Sequence, residues 1–141
     1  MKIRVVRVDK DLPLPEYKTE GAVAFDLYSR EDAMLAPREK KIVPSNFIIE
    51  VPAGHVLLIA ARSGTPKKGI MLANNVGLVD QDFHGPKDEI GLWIWNMTDA
   101  PIEIKRGDRI AQGLIVPIER AEFEEVAQIK DSSRGGFGTT G

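Results

Sequence analysis

Three stretches of the sequence combine residue types that can do chemistry. In Arg62-Ser63-Gly64-Thr65, followed by Lys67-Lys68-Gly69, a guanidinium, a hydroxyl and an unencumbered backbone N–H stand together. Those are the donors a phosphate needs, although a polar turn after a strand would read the same way. In NNVGLVDQDFHG, Asn74 to Gly85, two aspartates follow directly on the apolar Val76, Leu78 and Val79. Burial would raise the pKa of such a carboxyl and a nearby cation would lower it. An aspartate so placed can act as a general base towards water. Asn74 supplies both a donor and an acceptor for a base edge, and Phe83 a flat apolar surface for a sugar or base. The plain alternative is an Asp-capped turn. The third stretch is SSRGGFGTTG, Ser132 to Gly141. Its glycines allow the backbone to wrap closely around a ligand. Arg134 can pair with phosphate and Phe137 can stack on a base. The plain alternative here is a disordered terminus.

The elements that must position these residues are short and β-like. Pro and Gly break the chain into short alternating segments, a pattern of an all-β sandwich or barrel. Strands are predicted at Ile3 to Val8, Ala22 to Tyr28, Lys41 to Val43 and Asn46 to Val51. His55 to Ala61 is almost continuously apolar, which predicts burial on both faces. Ile90 to Asn96 alternates, with Ile90, Leu92 and Ile94 on one face and Gly91, Trp93 and Trp95 on the other. Ile102 to Ile104 and Arg109 to Pro117 flank Arg106-Gly107-Asp108 and are predicted to form a late hairpin. Met34 to Pro37 is predicted to begin a connection. Pro66 to Ala73 is the one place for a helical turn, and Pro66 and Gly69 weaken it. Many short strands in one small domain point to a jelly-roll-like double sheet. Trp93 and Trp95 need burial in either the core or an oligomer interface.

Composition narrows the function classes. A chain of 141 residues makes one domain with a real core. The formal net charge of -2 argues against general nucleic-acid binding. Without cysteine there is no disulfide framework or thiolate metal site, and His55 and His84 are too few for a histidine cluster. No apolar run approaches a membrane span, and the N-terminus has no signal-peptide core, so the expected location is cytoplasmic.

Taken in order, GAVAFDLYS (Gly21 to Ser29), ARSGTPKKG (Ala61 to Gly69), NNVGLVDQDFHG, IKRGDRIAQGLIVP (Ile104 to Pro117) and the tail resemble the trimeric dUTPase family. The resemblance spans nearly the whole chain. It implies a β-clip jelly-roll domain over residues 1–131 and a flexible arm over 132–141. That arm is exchanged between subunits of a homotrimer with three sites at subunit boundaries. It implies hydrolysis of dUTP to dUMP and diphosphate with Mg²⁺, which limits uracil incorporation into DNA and supplies dUMP for thymidylate synthesis. Neither nucleic acid nor membrane is an implied partner.

The roles implied by the resemblance map onto this sequence residue by residue. Asp80 is the base that activates the water attacking the α-phosphorus. Arg62, Ser63 and Gly64 hold phosphate oxygens. Asn74 and the backbone around Gly77, Leu78, Val79 and Gly91 read uracil. Phe83 lies under the deoxyribose, where the family usually has tyrosine. Asp26 and Gln112 act around the metal and phosphates, Asp26 through water. Arg134, Phe137 and Gly138 close the lid. Three departures stand out. The segment His84 to Glu89 is longer than the family's usual turn, the tail has fewer residues between Arg134 and Phe137 than many members, and Gly113 replaces a common apolar residue. A dCTP deaminase of the same fold and a non-catalytic nucleotide-binding trimer are the rival readings. Asp80 in its segment and the intact tail weigh against both.

Overall fold

A computed structural model of the protein describes residues 1–136 and 138. Among the described residues the regular structure is eleven short strands and one 3₁₀ turn. They are β1 (Val5–Arg7), β2 (Phe25–Tyr28), β3 (Ala33–Leu35), β4 (Lys40–Pro44), β5 (Phe47–Ile49), β6 (His55–Ala60), β7 (Ile70–Leu72), β8 (Gly77–Val79), β9 (Gly91–Asn96), β10 (Ile102–Ile104) and β11 (Arg109–Pro117). The 3₁₀ turn, Pro66–Lys68, lies between β6 and β7 and ends at Gly69, whose φ of 77° is left-handed. All pairings are antiparallel. They build a four-stranded sheet in the order β2-β11-β6-β8, a three-stranded sheet β4-β9-β7, and the two-stranded pairs β1-β5 and β3-β10. The fold is the β-clip jelly roll that the resemblance implied.

Alternation places the core. Leu92, Ile94 and Asn96 of β9 turn inward, and Gly91 and Trp93 turn out. Leu27, Leu35, Val43, Phe47, Leu57, Ile70 and Ile110 close the interior. Burying a side chain of this size contributes roughly 1.5–3 kcal/mol. Asn96 is fully buried and donates to the carbonyls of Leu35, Ala36 and Ala100, so its polar end is satisfied. Gly113 is a packing requirement: a Cβ there would stand 2.9 Å from the Phe25 ring and 3.0 Å from Leu57. The Phe25 side chain fills the space that an apolar residue at 113 would take.

The fold corrects three expectations and narrows a fourth. β10 pairs with β3, and β11 with β2 and β6, so the late hairpin does not form. Residues 34 and 35 belong to strand β3. In β6 only alternate residues, Leu57 and Ile59, are fully buried, so one face is covered less than the other. The indoles do not enter the core. Trp93 is 48% exposed, and Trp95 is half-buried with the Lys40 ammonium 5.3 Å from its ring centre.

Candidate active site

The chain changes sheets just before the aspartate segment. β7 belongs to the three-stranded sheet and β8 to the four-stranded sheet, and residues 73–76 make the crossing. Asn75 takes a left-handed φ of 59°, a conformation asparagine tolerates, and its N–H donates to the Leu72 carbonyl. The Ala73 N–H donates to the Trp93 carbonyl, which ties the crossing to β9. A cavity of about 240 Å³ opens at this junction of sheets. Asn74, Gly77, Leu78, Val79, Asp80, Phe83 and Gly91 line it, with Ile59 and Ile90 behind. Six residues expected to serve one nucleoside thus converge on one space with Asp80, the expected base. Leu78 is 66% exposed and Phe83 42% exposed, so apolar surface stands ready to be covered.

Asp80 follows buried Val79 and is itself exposed. Its carbonyl accepts from the Phe83 N–H, which begins the turn that swings the Phe83 ring to the cavity. Beyond the last β6–β8 pair, Leu57 with Val79, the ladder is prolonged by a side chain: Gln81 Nε2 donates to the His55 carbonyl at 3.0 Å. Gly91 lines the cavity, yet a Cβ on it would meet Ile42 Cγ2 at 2.6 Å. Close packing against β4 therefore requires glycine there as much as any ligand does.

The phosphate-type residues gather elsewhere. β2, β11 and β6 lie side by side, and the register sets Gln112 opposite both Asp26 and Ala60. Gln112 Nε2 donates to the Ala61 carbonyl at 3.0 Å. Asp26 is buried, and its two carboxylate oxygens face two guanidiniums: Arg62 Nε stands 2.7 Å from Oδ1, and Arg109 Nη1 donates to Oδ2 at 3.1 Å. Arg62 Nη1 also donates to the Arg109 carbonyl. The Arg62 N–H bonds the buried Thr65 hydroxyl and the Thr65 N–H returns to the Arg62 carbonyl, closing a turn with Ser63 and Gly64 exposed at its tip. Two cations around one carboxylate leave a net positive patch beside that tip. Arg109 was not among the residues singled out by sequence. Its link to Asp26 is 83 residues long in the chain and is made only by the β2–β11 pairing.

These two groups do not meet within the chain. Asp80 lies one residue past the Leu57–Val79 pair, opposite Val56, whereas Arg62 lies beyond the other end of β6. At about 3.3 Å per residue, the separation along the strand is roughly 15–20 Å. Arg134 is exposed in a segment without strand or helix. Gly138 is exposed with a left-handed φ of 89°. Phe137 lies outside the described residues.

Comparison with known proteins agrees with this geometry. The family model described as dUTPase matches residues 10–141. A deoxyuridine 5'-triphosphate nucleotidohydrolase of Nautilia profundicola is 37% identical, over 100% of this chain and 99% of its own. One of Corynebacterium glutamicum is 41% identical, over 99% of this chain and 94% of its own. Among solved structures, a dUTPase from Streptococcus mutans superposes with a TM-score of 0.79 at 28% identity, covering 87% of this chain and all of that one. A Staphylococcus bacteriophage 80alpha dUTPase mutant with dUpNHpp superposes with a TM-score of 0.86 at 26% identity, covering 99% of this chain and 98% of that one.

Proposed function

The chain belongs to the dUTPase family, and on that premise we propose that it is a dUTP diphosphatase, hydrolysing dUTP to dUMP and diphosphate at sites shared between the subunits of a homotrimer. The observation that carries this reading is the 240 Å³ cavity in which Asn74, the β8 backbone, Phe83 and Asp80 converge. Asn74 and the backbone at Gly77 to Val79 present the donors and acceptors that pair with uracil. Phe83 closes the sugar side, where its ring leaves no room for a ribose 2′-OH.

Asp80 takes a proton from a water molecule whose oxygen bonds to the α-phosphorus. The bond from the α-phosphorus to the bridging oxygen breaks and diphosphate leaves. Negative charge moves onto the leaving group, so fixed cations facing it lower the barrier. Arg62, Ser63 and Gly64 supply donors to those oxygens, and Arg109 keeps the Asp26 carboxylate neutralised while Arg62 engages phosphate. Arg62 and Asp80 stand at opposite ends of β6 and β8, so the cavity of one subunit meets the phosphate turn of another.

The donor set fits Mg²⁺ held mainly by the triphosphate. Among the described residues no cluster of three His, Cys, Asp or Glu is arranged to hold a metal. The buried Asp26 offers one carboxylate that can reach an ion through water, as Mg²⁺ commonly retains its waters. When bound, the ion supplies charge neutralisation of the triphosphate.

The C-terminal segment supports exchange of an arm. In the isolated subunit Phe123 is 97% exposed and Ile129 95% exposed, surface that a neighbouring subunit would cover. Residues 132–141 then form the lid, with Arg134 at the phosphates and Phe137 and Gly138 over the nucleoside. Among the described residues no helix is long and apolar enough to cross a membrane. A nucleotide panel tests the reading: with Mg²⁺, diphosphate release from dUTP should far exceed that from dCTP, dTTP or UTP. Equal rates on all four would contradict it.

A further inference from the structure

The segment between Phe83 and β9 has no role in the chemistry above, yet the structure holds it firmly. Its first half is a self-contained turn. The Gly85 N–H donates to Asp88 Oδ2 at 2.6 Å, and the Asp88 N–H donates to the Gly85 carbonyl. Near its other end, Glu89 reaches across the molecule. Glu89 Oε1 accepts from Arg30 Nε and from the Asn46 N–H, each at 2.8 Å.

Asn46 explains why that acceptor is needed. It turns the chain from β4 to β5 with a left-handed φ of 75° and is fully buried. Its side chain is already committed, Oδ1 accepting from the Asp9 N–H and Nδ2 donating to the Asp9 carbonyl. A buried N–H left unbonded is costly, and the Glu89 carboxylate takes it. The neighbouring Ile90 continues the attachment, its N–H donating to the Phe47 carbonyl and its carbonyl accepting from Ser45. One end of the segment therefore carries Phe83, the other is bolted to the β4–β5 turn, and Phe83, Ile90 and Gly91 all line the nucleoside cavity.

We propose that Glu89 is a positioning residue for the nucleoside cavity, fixing where Phe83 and Ile90 stand against Asn74. This rests on the dUTP-hydrolysing reading of the cavity. Asp80 is held separately, by β8 and by Gln81, so loss of Glu89 loosens nucleoside binding more than it impairs the base.

The test is steady-state kinetics on the full-length protein. Glu89→Ala should raise KM for dUTP about tenfold while kcat stays within about threefold of wild type. Glu89→Gln keeps an oxygen that accepts from the Asn46 N–H and should restore most of the KM. A wild-type KM in Glu89→Ala overturns the proposal whatever its melting temperature, because a merely structural contact would lower stability alone. A fall in kcat with KM unchanged overturns it too. Should the alanine variant not fold, Glu89→Asp, one methylene short of its partners, carries the same test: a raised KM supports the proposal and a wild-type KM overturns it. Wild-type protein inert towards dUTP would strike down the reading of the cavity instead, so the two failures are distinguishable.

Discussion

Arg62 Nε stands 2.7 Å from Oδ1 of Asp26, a carboxylate whose other oxygen is held by Arg109. The pair makes the phosphate turn a positioned cation rather than a loose side chain. Asp26→Asn replaces one acceptor oxygen by an N–H donor, so one guanidinium loses its place. We expect kcat/KM for dUTP to fall about 100-fold, the scale of one misplaced donor at a developing charge. Steady-state kinetics on folded protein checks this, and wild-type values would remove Asp26 from the site.

Asp80→Asn should retain dUTP binding, since the cavity walls are unchanged. Turnover should drop by about 100-fold to 10,000-fold, the range associated with a positioned general base. Calorimetric binding together with single-turnover rates separates the two effects. Near-normal turnover would take the role of base away from Asp80.

Removing residues 132–141 should leave a folded protein. Residues 132–135 are exposed, and among the described residues no strand follows Pro117. Activity should fall at least about tenfold if the tail closes over the site as proposed, since water would no longer be excluded. A truncated protein with full activity would reduce the tail to a spectator.

Tyr28 bears on stability rather than chemistry. Its hydroxyl is buried with no well-formed hydrogen bond among the described residues, and burial pushes its pKa above the ordinary phenol value, with the nearby Lys18 ammonium opposing more weakly through its charge and a poor hydrogen-bond contact. A raised folded-state pKa means the native state holds the proton longer than the unfolded chain. That stability is fully present below about pH 10 and is lost as pH rises from there through the folded value. Tyr28→Phe should be neutral or stabilising by roughly 1 kcal/mol at pH 7, since it removes a poorly paired buried polar group. The variant should also lose less stability above pH 10. Denaturant midpoints at pH 7 and pH 10.5 measure both, and a clearly destabilised variant would show that the hydroxyl is well bonded.

What the sequence could disclose was local. The alternation of β9 and the long apolar run of β6 are visible in the residues themselves, as is the grouping of chemical side chains around Asp80. The three-residue strands β3, β7 and β8 are too short to show a period, and β8 hides between Asn75 and Asp80. The pairing of β10 with β3 depends on contacts some 70 residues apart in the chain, which the intervening Arg106-Gly107-Asp108 turn disguises as a hairpin. Arg109 and Glu89 became legible only with the register, since neither sits in a pattern that names its partner. The separation of Arg62 from Asp80 likewise follows from which end of β6 each one meets.

That separation is the centre of the account and can be measured directly. Asp80→Asn and Arg62→Ala subunits, each inactive as a homotrimer, can be denatured together in equal amounts and refolded. Random assembly makes about three quarters of the trimers mixed, and each mixed trimer holds one site in three with both native residues. The shared site predicts recovery of about a quarter of wild-type dUTP turnover. A mixture as inactive as its parents, in trimers shown to contain both subunits, would contradict it.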